Sequence, residues 1–263
     1  MFMVNANVVS VTGLVAKFQQ PFNKTFWAGY KALEFMMGGA FESIKASLNK
    51  TKMLTDSFVE KFVDLDKFKQ ERERILKEWA EATAEACNKG NIYHQSKVGD
   101  SDYVVSEVVC DTCQLPTEGK FLYREMPLNL KVDSLTVTGI ADAVLTDDTD
   151  LYVYDYKTSK KINKRSYFNK ALKKNTMMKY PLGHLEDCNY NHYALQISLY
   201  AYMLENRNPE MNVQDLYIIH CTDSGENKIK VPYLRKEVES MIREYKKTLL
   251  INQQYDRNKP IEY

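Results

Sequence analysis

The chain has 263 residues, with 36 Lys and Arg against 35 Asp and Glu and a formal net charge of +1. Its length suits one well-filled domain with additions or two small domains, and its composition of 44% hydrophobic and 27% charged residues excludes a disordered chain. The near-zero net charge neither supports nor excludes a nucleic-acid partner, because binding depends on a local basic surface rather than on the total.

Neither export nor membrane insertion is indicated. No segment approaches the ~20 apolar residues that a membrane span needs, and residues 1–14 lack the basic start of a secretory signal. The five cysteines, an odd number, are therefore predicted to be free thiols in a cytoplasmic protein. Cys110 and Cys113 form a lone CxxC, which is half of a zinc or iron–sulfur site and favours plain thiols.

Two long helical segments are predicted in the first third of the chain. Residues 26–48 and 55–89 place apolar residues at three- and four-residue steps, and Gly90 is typical of a helix C-terminal stop. The aromatic residues of the second segment are interpreted as one packed helix face; they are Phe58, Phe62, Phe68 and Trp79. Residues 1–89 are therefore predicted to form a helical region packed on the rest of the chain.

Strands are predicted after Gly90. Runs rich in β-branched and aromatic residues indicate four of them, at residues 103–109, 121–128, 134–146 and 151–157. An acidic turn at residues 147–150 joins the last two, and this spacing predicts a β-hairpin.

The remainder of the chain begins with a basic segment, residues 157–179, that has no clear periodicity. The pattern then predicts helix, strand, strand and helix, at residues 190–205, 213–221, 228–233 and 234–252. No Pro-, Gly- or Ser-rich linker divides the chain. We therefore predict a mixed α/β core over residues 90–263 with a helical N-terminal addition.

Three charged residues on the predicted hairpin form a candidate site. If the two strands pair, Asp142 and Asp155 can lie side by side, and Asp155 and Lys157 point to the same face because they are two residues apart on a strand. Two carboxylates can hold one or two hard cations such as Mg²⁺, which activate a bound water. A lysine beside them stabilises developing negative charge. This chemistry suits phosphodiester hydrolysis, although a solvated surface hairpin explains these three residues equally well.

Five sequence elements in a set order resemble the PD-(D/E)xK nuclease superfamily, in particular the RecB-like group that includes many phage exonucleases. The elements are Gly90 followed by His94, Glu125 on a strand, Gly139-x-x-Asp142, Asp155-x-Lys157 and Gln196-x-x-x-Tyr200. A lone Asp-x-Lys is a weak signal, whereas this ordered set is specific. The resemblance spans residues 77–205.

The resemblance implies a restriction-endonuclease-like core, which is a mixed central sheet flanked by helices. It also implies a set of ligands for Mg²⁺ or Mn²⁺, namely His94, Glu125, Asp142 and Asp155. Lys157 would then assist the attack of water, while Gln196 and Tyr200 would orient Lys157 or the DNA.

Polar side chains recur every fourth residue along the helix that follows Asp187; they are Cys188, His192, Gln196 and Tyr200. Polar groups on an otherwise apolar helix need either water or partners. We predict that Gln196 and Tyr200 line the active-site cleft, with hydrogen bonds to the sheet backbone as the alternative. The role of His192 stays open, and His184 and His220 are interpreted as structural or exposed.

The basic segment is a candidate DNA-binding surface, because phosphate contacts would be needed next to Lys157. Its predicted contacts are Lys160, Lys161, Lys164, Arg165, Lys170, Lys173 and Lys174. Tyr167, Phe168 and Tyr180 could stack on exposed bases. A merely solvated charged face is the alternative.

The sequence therefore predicts a Mg²⁺- or Mn²⁺-dependent deoxyribonuclease that has DNA as its partner and no membrane association. The resemblance favours an exonuclease of phage-type DNA replication, recombination or processing, in the host cytoplasm if the chain is phage-encoded. An endonuclease and a non-catalytic DNA-binding or assembly protein on the same fold stay open, as do a homo-oligomer and a recombination or replication partner. An iron–sulfur nuclease of CRISPR adaptation is excluded, because only Cys221 follows Tyr200 where that type carries three cysteines.

Overall fold

The computed structural model of the protein describes residues 7–96, 104–105, 114–169 and 173–257, and within these ranges it leaves the side chains of residues 91, 93–96, 104–105 and 253–257 undescribed. The chain divides into two units. The sheet unit contains the residues up to Gln20 and most of those from Ile92 onward, and the helical unit contains Pro21–Asn91.

The sheet unit is built on a mixed sheet of seven described strands. Their bounds are β1 Asn7–Ser10, β2 Val104–Val105, β3 Lys120–Val132, β4 Leu135–Asp147, β5 Asp150–Lys157, β8 Asn212–Thr222 and β9 Gly225–Val231. The order across the sheet is β2-β3-β4-β5-β8-β9, and β1 pairs with the first part of β4. A separate small hairpin joins β6 Phe168–Asn169 to β7 Lys174–Asn175.

The hairpin predicted around residues 147–150 is confirmed. β4 and β5 pair antiparallel from Asp147–Asp150 to Ala143–Tyr154, and Asp148 takes the left-handed conformation that Asp tolerates in tight turns (φ 53°). β5 then runs parallel to β8 as far as Lys157 beside His220. Neighbours on both sides make β5 a central strand, and Leu151 and Val153 are fully buried because they join one core with the side chains of the helix that packs on it.

Three helices belong mainly to the sheet unit: α1 Val11–Lys17, α6 Asn189–Arg207 and α7 Arg235–Arg257. α6 packs on β3, β4, β5 and β8, and α1 and α7 pack on α6. The middle of α6 is buried almost all round, from Ala194 to Leu204, as expected for a helix that contacts both a sheet and other helices. Its side chains join those of β4 and β5 in one continuous core.

The helical unit contains α2 Lys24–Met37, a 3₁₀ helix Gly38–Phe41, α3 Glu42–Thr51, α4 Asp56–Val59 and most of α5 Leu65–Ser96. Its own core is largely aromatic and aliphatic and includes Phe26, Leu33, Phe41 and Phe68. Among the described residues, no helix of either unit combines the length and the apolar character that a membrane span requires.

The mixed α/β fold predicted from the sequence is confirmed, but several helix boundaries were predicted wrongly. The segment 26–48 is interrupted because Gly38 adopts a positive φ of 55°, and the segment 55–89 is interrupted because the Asp64 side chain accepts the Lys67 N–H at 2.9 Å, which caps a new helix. Phe58 and Phe62 therefore do not share a helix with Phe68.

Two further predictions about the first ninety residues differ from the structure. Gly90 does not stop α5, which continues to Ser96, because a helix tolerates an internal glycine at a cost of about 1 kcal/mol. The sequence predicts one region over residues 1–89, whereas β1 pairs in parallel with β4 and so places residues 7–20 with the sheet.

Among the described cysteines, Cys87 and Cys188 are free thiols, and the buried Cys221 thiol donates to the Ile219 carbonyl oxygen at 3.2 Å. Cys110 and Cys113 lie outside the described residues, as does most of the predicted strand 103–109, of which Val104–Val105 is described as a strand.

Candidate active site

The candidate site lies where β4 and β5 stop pairing. The ladder between them ends at Ala143 and Tyr154, so one further step would place Asp142 opposite Asp155. At this point the Asp142 carboxylate accepts a hydrogen bond from the Tyr156 backbone N–H, at 2.7 Å. A side chain thus replaces the backbone ladder, and both Asp142 (8% exposed) and Asp155 (0% exposed) are buried at the opening.

Asp155 and Lys157 point to the same face of β5 and form an ion pair. The Lys157 side chain is 17% exposed while that of Asp155 is fully buried. Burial by itself lowers the pKa of Lys157, but the adjacent Asp155 charge and hydrogen bond, together with Asp142, outweigh it and hold the pKa above its ordinary value. Lys157 is therefore a permanent cation at neutral pH, fixed beside two carboxylates.

Gln196 of α6 links the strand residues to the helix. Its side-chain amide donates to Asp155 Oδ1 at 3.0 Å and lies 3.2 Å from the Tyr200 hydroxyl. The two oxygens of Asp155 thus have different partners, since Lys157 pairs with Oδ2. This arrangement holds the carboxylate in one orientation.

Tyr200 is buried and stays protonated. Burial raises its pKa, and the carboxylates of Asp155, Asp142 and Glu125 raise it further, against the opposing hydrogen bond from Gln196. The phenol therefore offers an uncharged hydroxyl within electrostatic range of all three carboxylates.

Gly139, three residues before Asp142, makes room for Tyr200. A Cβ at this position would lie 2.7 Å from Tyr200 Cε1 and 2.9 Å from Val11 Cγ2. Side chains from α6 and α1 therefore reach the β4 backbone because residue 139 has no side chain of its own. This is the physical reason for a glycine in Gly-x-x-Asp here.

Glu125 lies on β3 at the position opposite Asp142, between the pairs Arg124–Ala143 and Met126–Ala141. Its φ is 46°, which is unusual for a non-glycine residue. The alternation of β4 is also irregular here: Ala141 and Val144 both belong to the core although they are three residues apart, whereas residues on one face of a regular strand are an even number apart. The irregularity leaves the Glu125 side chain exposed, at the edge of the buried carboxylates.

The donor set fits a hard divalent cation. The carboxylates of Asp142 and Asp155 are oxygen ligands of the kind such ions prefer, and Mg²⁺ commonly uses one or two carboxylates together with water and substrate phosphate. Among the described residues, no group of three or more His, Cys, Asp and Glu side chains is arranged to hold a metal ion. His94 lies in α5, but its side chain is outside the described residues.

The sequence matches the PD-(D/E)XK nuclease superfamily over residues 53–258, which is more than half of the chain. The chain belongs to the PD-(D/E)XK nuclease superfamily. The predicted resemblance is thereby confirmed at the level of the superfamily, and the sheet with its flanking helices is its restriction-endonuclease-like core. Membership makes the chain a nuclease of a class that typically uses divalent metals and acts on DNA.

Other comparisons add little. No curated protein sequence matches the chain. The crystal structure of SSO0001 matches with a TM-score of 0.32 and 14% identity, and the match covers 93% of this chain and 76% of that one.

The basic segment of this PD-(D/E)XK nuclease directly follows Lys157. Lys160, Lys161, Lys173 and Lys174 are exposed and make no ion pair with any residue that the structure describes. Arg165 instead pairs with Glu186 at 2.5 Å, and Lys164 lies 5.3 Å from the centre of the Tyr190 ring. Lys170 is outside the described residues. Tyr167, Phe168 and Tyr180 are exposed aromatics in the same region.

The described histidines other than His94 have structural partners. His192 contacts Asp187 at 2.6 Å, and Asp187 also accepts the Gln20 N–H at 2.8 Å. His184 contacts Glu237 at 3.0 Å, and His220 contacts the Ser159 carbonyl oxygen at 2.7 Å. The interpretation of His184 and His220 as structural or exposed agrees with these contacts.

Tyr193 belongs to the site and was missed in the sequence analysis. The Lys157 Nζ lies 5.0 Å from the centre of the Tyr193 ring, close enough for a cation–π contact. Tyr193 precedes Gln196 by three residues on α6, so both lie on one helix face. That spacing was a usable signal, but the aromatic residue resembled an ordinary core position.

Proposed function

We propose that the protein is a divalent-metal-dependent deoxyribonuclease that hydrolyses phosphodiester bonds at Asp142, Asp155 and Lys157. The observation that carries the proposal is the buried Lys157–Asp155 pair beside Asp142, at the point where β4 and β5 separate. A buried charge cluster of this kind costs stability, and such clusters are concentrated where a protein has a functional use for them. Superfamily membership supports nuclease chemistry as that use.

Metal binding is assigned to the acidic face of the site. Asp142 and Asp155 would hold Mg²⁺ or Mn²⁺, with Glu125 and His94 completing the ligand set. When bound, the ion would lower the pKa of a water molecule and neutralise charge on the scissile phosphate. Glu125 is exposed beside the buried pair, so it can reach the ion directly or through water.

Three neighbouring residues orient the metal ligands or stabilise charge in the reaction. Gln196 holds Asp155 Oδ1, which leaves the carboxylate little freedom to rotate. Lys157 is a fixed cation that orients the attacking water and stabilises the negative charge on the phosphoryl oxygens as it develops. Tyr200 keeps its proton and can donate through its hydroxyl.

DNA would approach along the basic segment. Lys160, Lys161, Lys164, Arg165, Lys170, Lys173 and Lys174 are proposed to contact backbone phosphates, which positions the chain without reading its sequence. The exposed rings of Tyr167 and Phe168 suit stacking on unpaired bases. The resemblance to phage exonucleases favours action at DNA ends, in replication, recombination or processing.

Digestion of a linear duplex and of a closed circular DNA, with Mg²⁺ or Mn²⁺, tests the proposal. The wild type is compared with Asp155→Asn and Lys157→Met, and Asp150→Asn serves as the matched control because Asp150 lies on the same strand but outside the site. Circular dichroism verifies that each variant is folded.

We expect degradation of the linear DNA by the wild type and the control, and no degradation by the two site variants. Cleavage of the circle would identify an endonuclease instead. If neither DNA is cut with either metal, the deoxyribonuclease proposal fails and a non-catalytic DNA-binding role replaces it.

A further inference from the structure

A pocket in the helical unit contains none of the residues assigned to the active site. Its volume is about 250 Å³. The polar residues that line it are Asn23, Thr25, Lys52, Thr55 and Arg72, and no acidic side chain is among its described lining residues. All of them lie within Pro21–Asn91, so the pocket is a feature of this unit alone.

The two cations of the pocket are not neutralised by neighbouring acids. Neither Lys52 nor Arg72 forms an ion pair with any residue that the structure describes. Three acidic residues are adjacent to the lining in sequence. Asp56 pairs with Lys69 at 2.9 Å and Glu71 pairs with Arg74 at 2.6 Å, while Glu73, next to Arg72, is exposed and does not line the pocket. The pocket therefore has a concentrated positive charge.

Lys52 is held in place by its backbone and by two aromatic rings. It ends α3 in the left-handed conformation, with φ 52°. Its Nζ lies 4.3 Å from the centre of the Trp27 ring and 5.6 Å from that of Phe26. Burial lowers the pKa of Lys52, with no acid to offset the loss of hydration. Lys52 Nζ also donates to Asn49 Oδ1 at 3.4 Å, and because the residue is exposed its ammonium group is accessible to an anion.

Arg72 contributes the second cation of the pocket lining, and one nitrogen of its side chain has no hydrogen-bond partner among the described residues. That nitrogen, Nε, is buried. The guanidinium carbon lies 5.5 Å from the centre of the Phe68 ring, which orients the group without accepting its N–H. The guanidinium group, rather than this enclosed Nε donor, is therefore what Arg72 offers to a ligand in the pocket.

The neutral groups of the pocket are also suited to an anion. Asn23 is the N-cap of α2, a helix of 14 residues, and Thr25 lies in its first turn. The N-terminal turn of a helix carries partial positive charge from its backbone N–H groups. Thr25 and Thr55 add hydroxyl groups that can donate to oxygen.

We propose that this pocket binds a phosphate group. Two cations with hydroxyl donors match the charge and the oxygen acceptors of phosphate, and a volume of about 250 Å³ is below the roughly 300–1,000 Å³ typical of pockets for larger ligands. The phosphate can belong to a DNA backbone or to a free compound such as inorganic phosphate. The pocket would thus be a second anion site, separate in sequence from the basic segment after Lys157.

The test compares Lys52→Gln and Arg72→Gln with the control Lys50→Gln, in the full chain. Lys50 is an exposed residue in the last turn of α3, two residues before Lys52, and does not line the pocket. Binding of a fluorescein-labelled duplex is measured by anisotropy at several salt concentrations, with EDTA present so that no cleavage occurs. Separately, thermal unfolding is followed with inorganic phosphate and with chloride at equal ionic strength.

If the pocket binds DNA phosphate, both pocket variants should weaken duplex binding by roughly tenfold and reduce the salt slope by about one, while Lys50→Gln leaves both unchanged. If it binds free phosphate, duplex binding is unchanged but phosphate raises the melting temperature of the wild type and the control and not of the variants. Pocket variants that behave like Lys50→Gln in both assays would overturn the proposal. Lys52→Gln decides the question if Arg72→Gln does not fold, and neither assay depends on nuclease activity.

Discussion

Gly139 allows α1 and α6 to approach the β4 backbone closely beside the site. A methyl group there would overlap Tyr200 Cε1 and Val11 Cγ2, at 2.7 and 2.9 Å. We expect Gly139→Ala to displace Tyr200 and to destabilise the fold by about 1–3 kcal/mol through overpacking. Because Tyr200 is hydrogen-bonded to Gln196, its displacement should also disturb Gln196 and lower nuclease activity. Urea unfolding and a cleavage assay measure the two effects.

Gly183→Ala is the matched control for this substitution. A Cβ at Gly183 would meet only the Met178 carbonyl oxygen, at 3.9 Å, so the added methyl group is accommodated. Equal stability and activity for Gly139→Ala and the control would show that Tyr200 does not need the space.

Gln196 is expected to matter more than an ordinary surface amide, because its partner Asp155 is fully buried. Replacing it with Leu removes a donor from a buried carboxylate, which costs about 1–3 kcal/mol, and frees Asp155 to rotate away from its metal-binding orientation. We expect Gln196→Leu to lose both stability and activity, as measured by urea unfolding and DNA cleavage.

A second glutamine provides the comparison. Gln214 also donates to an aspartate, Asp150, at 2.8 Å, but this bond is exposed. Gln214→Leu should change stability by less than about 0.5 kcal/mol and leave cleavage intact. Similar losses in the two variants would argue that Gln196 has only a structural role.

At the level of elements, α6 supports the site with side chains from one of its faces. Tyr193 and Gln196 contact Lys157 and Asp155 of β5, and Tyr200 lies against Gly139 of β4. The contact between Lys157 Nζ and the Tyr193 ring, at 5.0 Å, is worth about 0.5–2 kcal/mol for a partly desolvated cation. Tyr193→Leu should therefore loosen Lys157 and lower kcat several-fold, whereas Tyr193→Phe keeps the ring and the rate. Cleavage kinetics that are equal for Leu and Phe would show that the ring does not position Lys157.

The segment before α6 is tied to the basic segment by Glu186. The Ser166 backbone N–H, then Arg165 and Asn175, lower the pKa of Glu186 from its ordinary 4.5 to about 2. Since the folded pKa lies below the unfolded one, this interaction stabilises the fold above about pH 4.5 and loses its effect as pH falls toward 2. The stability difference between wild type and Glu186→Gln should follow that course in urea unfolding across pH.

Glu210→Gln, at an exposed position, is the control, and its difference from wild type in the free energy of unfolding should change less over the same pH range. A wild-type advantage over Glu186→Gln that persists unchanged to pH 2 would contradict the assigned contacts of Glu186.

The elements that the sequence predicted well are those determined by local patterns. The β4–β5 hairpin follows from an acidic turn between two alternating strands, and the inward position of Asp155 follows from the same alternation. Features set by distant contacts were missed. The pairing of β1 with β4, the left-handed Glu125 and the contact of Tyr193 with Lys157 depend on residues far apart in sequence, which a periodicity does not report.

At the scale of the whole molecule, a net charge of +1 makes long-range attraction to DNA weak, so affinity must come from local positive surfaces. In the basic segment, Lys160 and Lys161 are exposed and unpaired among the described residues, whereas Glu186 already neutralises Arg165. The two lysines are therefore the best-placed described residues for phosphate contacts close to Lys157.

Removal of either lysine should weaken DNA binding in a salt-dependent way. We expect Lys160→Gln and Lys161→Gln each to reduce the slope of log K against log salt by about 0.9, the value for one lost phosphate contact on duplex DNA. Lys236→Gln makes the same change of charge at an exposed position in α7 and should leave the slope unchanged. Equal reductions of the salt slope in all three variants would mean that DNA binding depends only on the total charge of the protein. The basic segment would then be a solvated surface rather than a binding site.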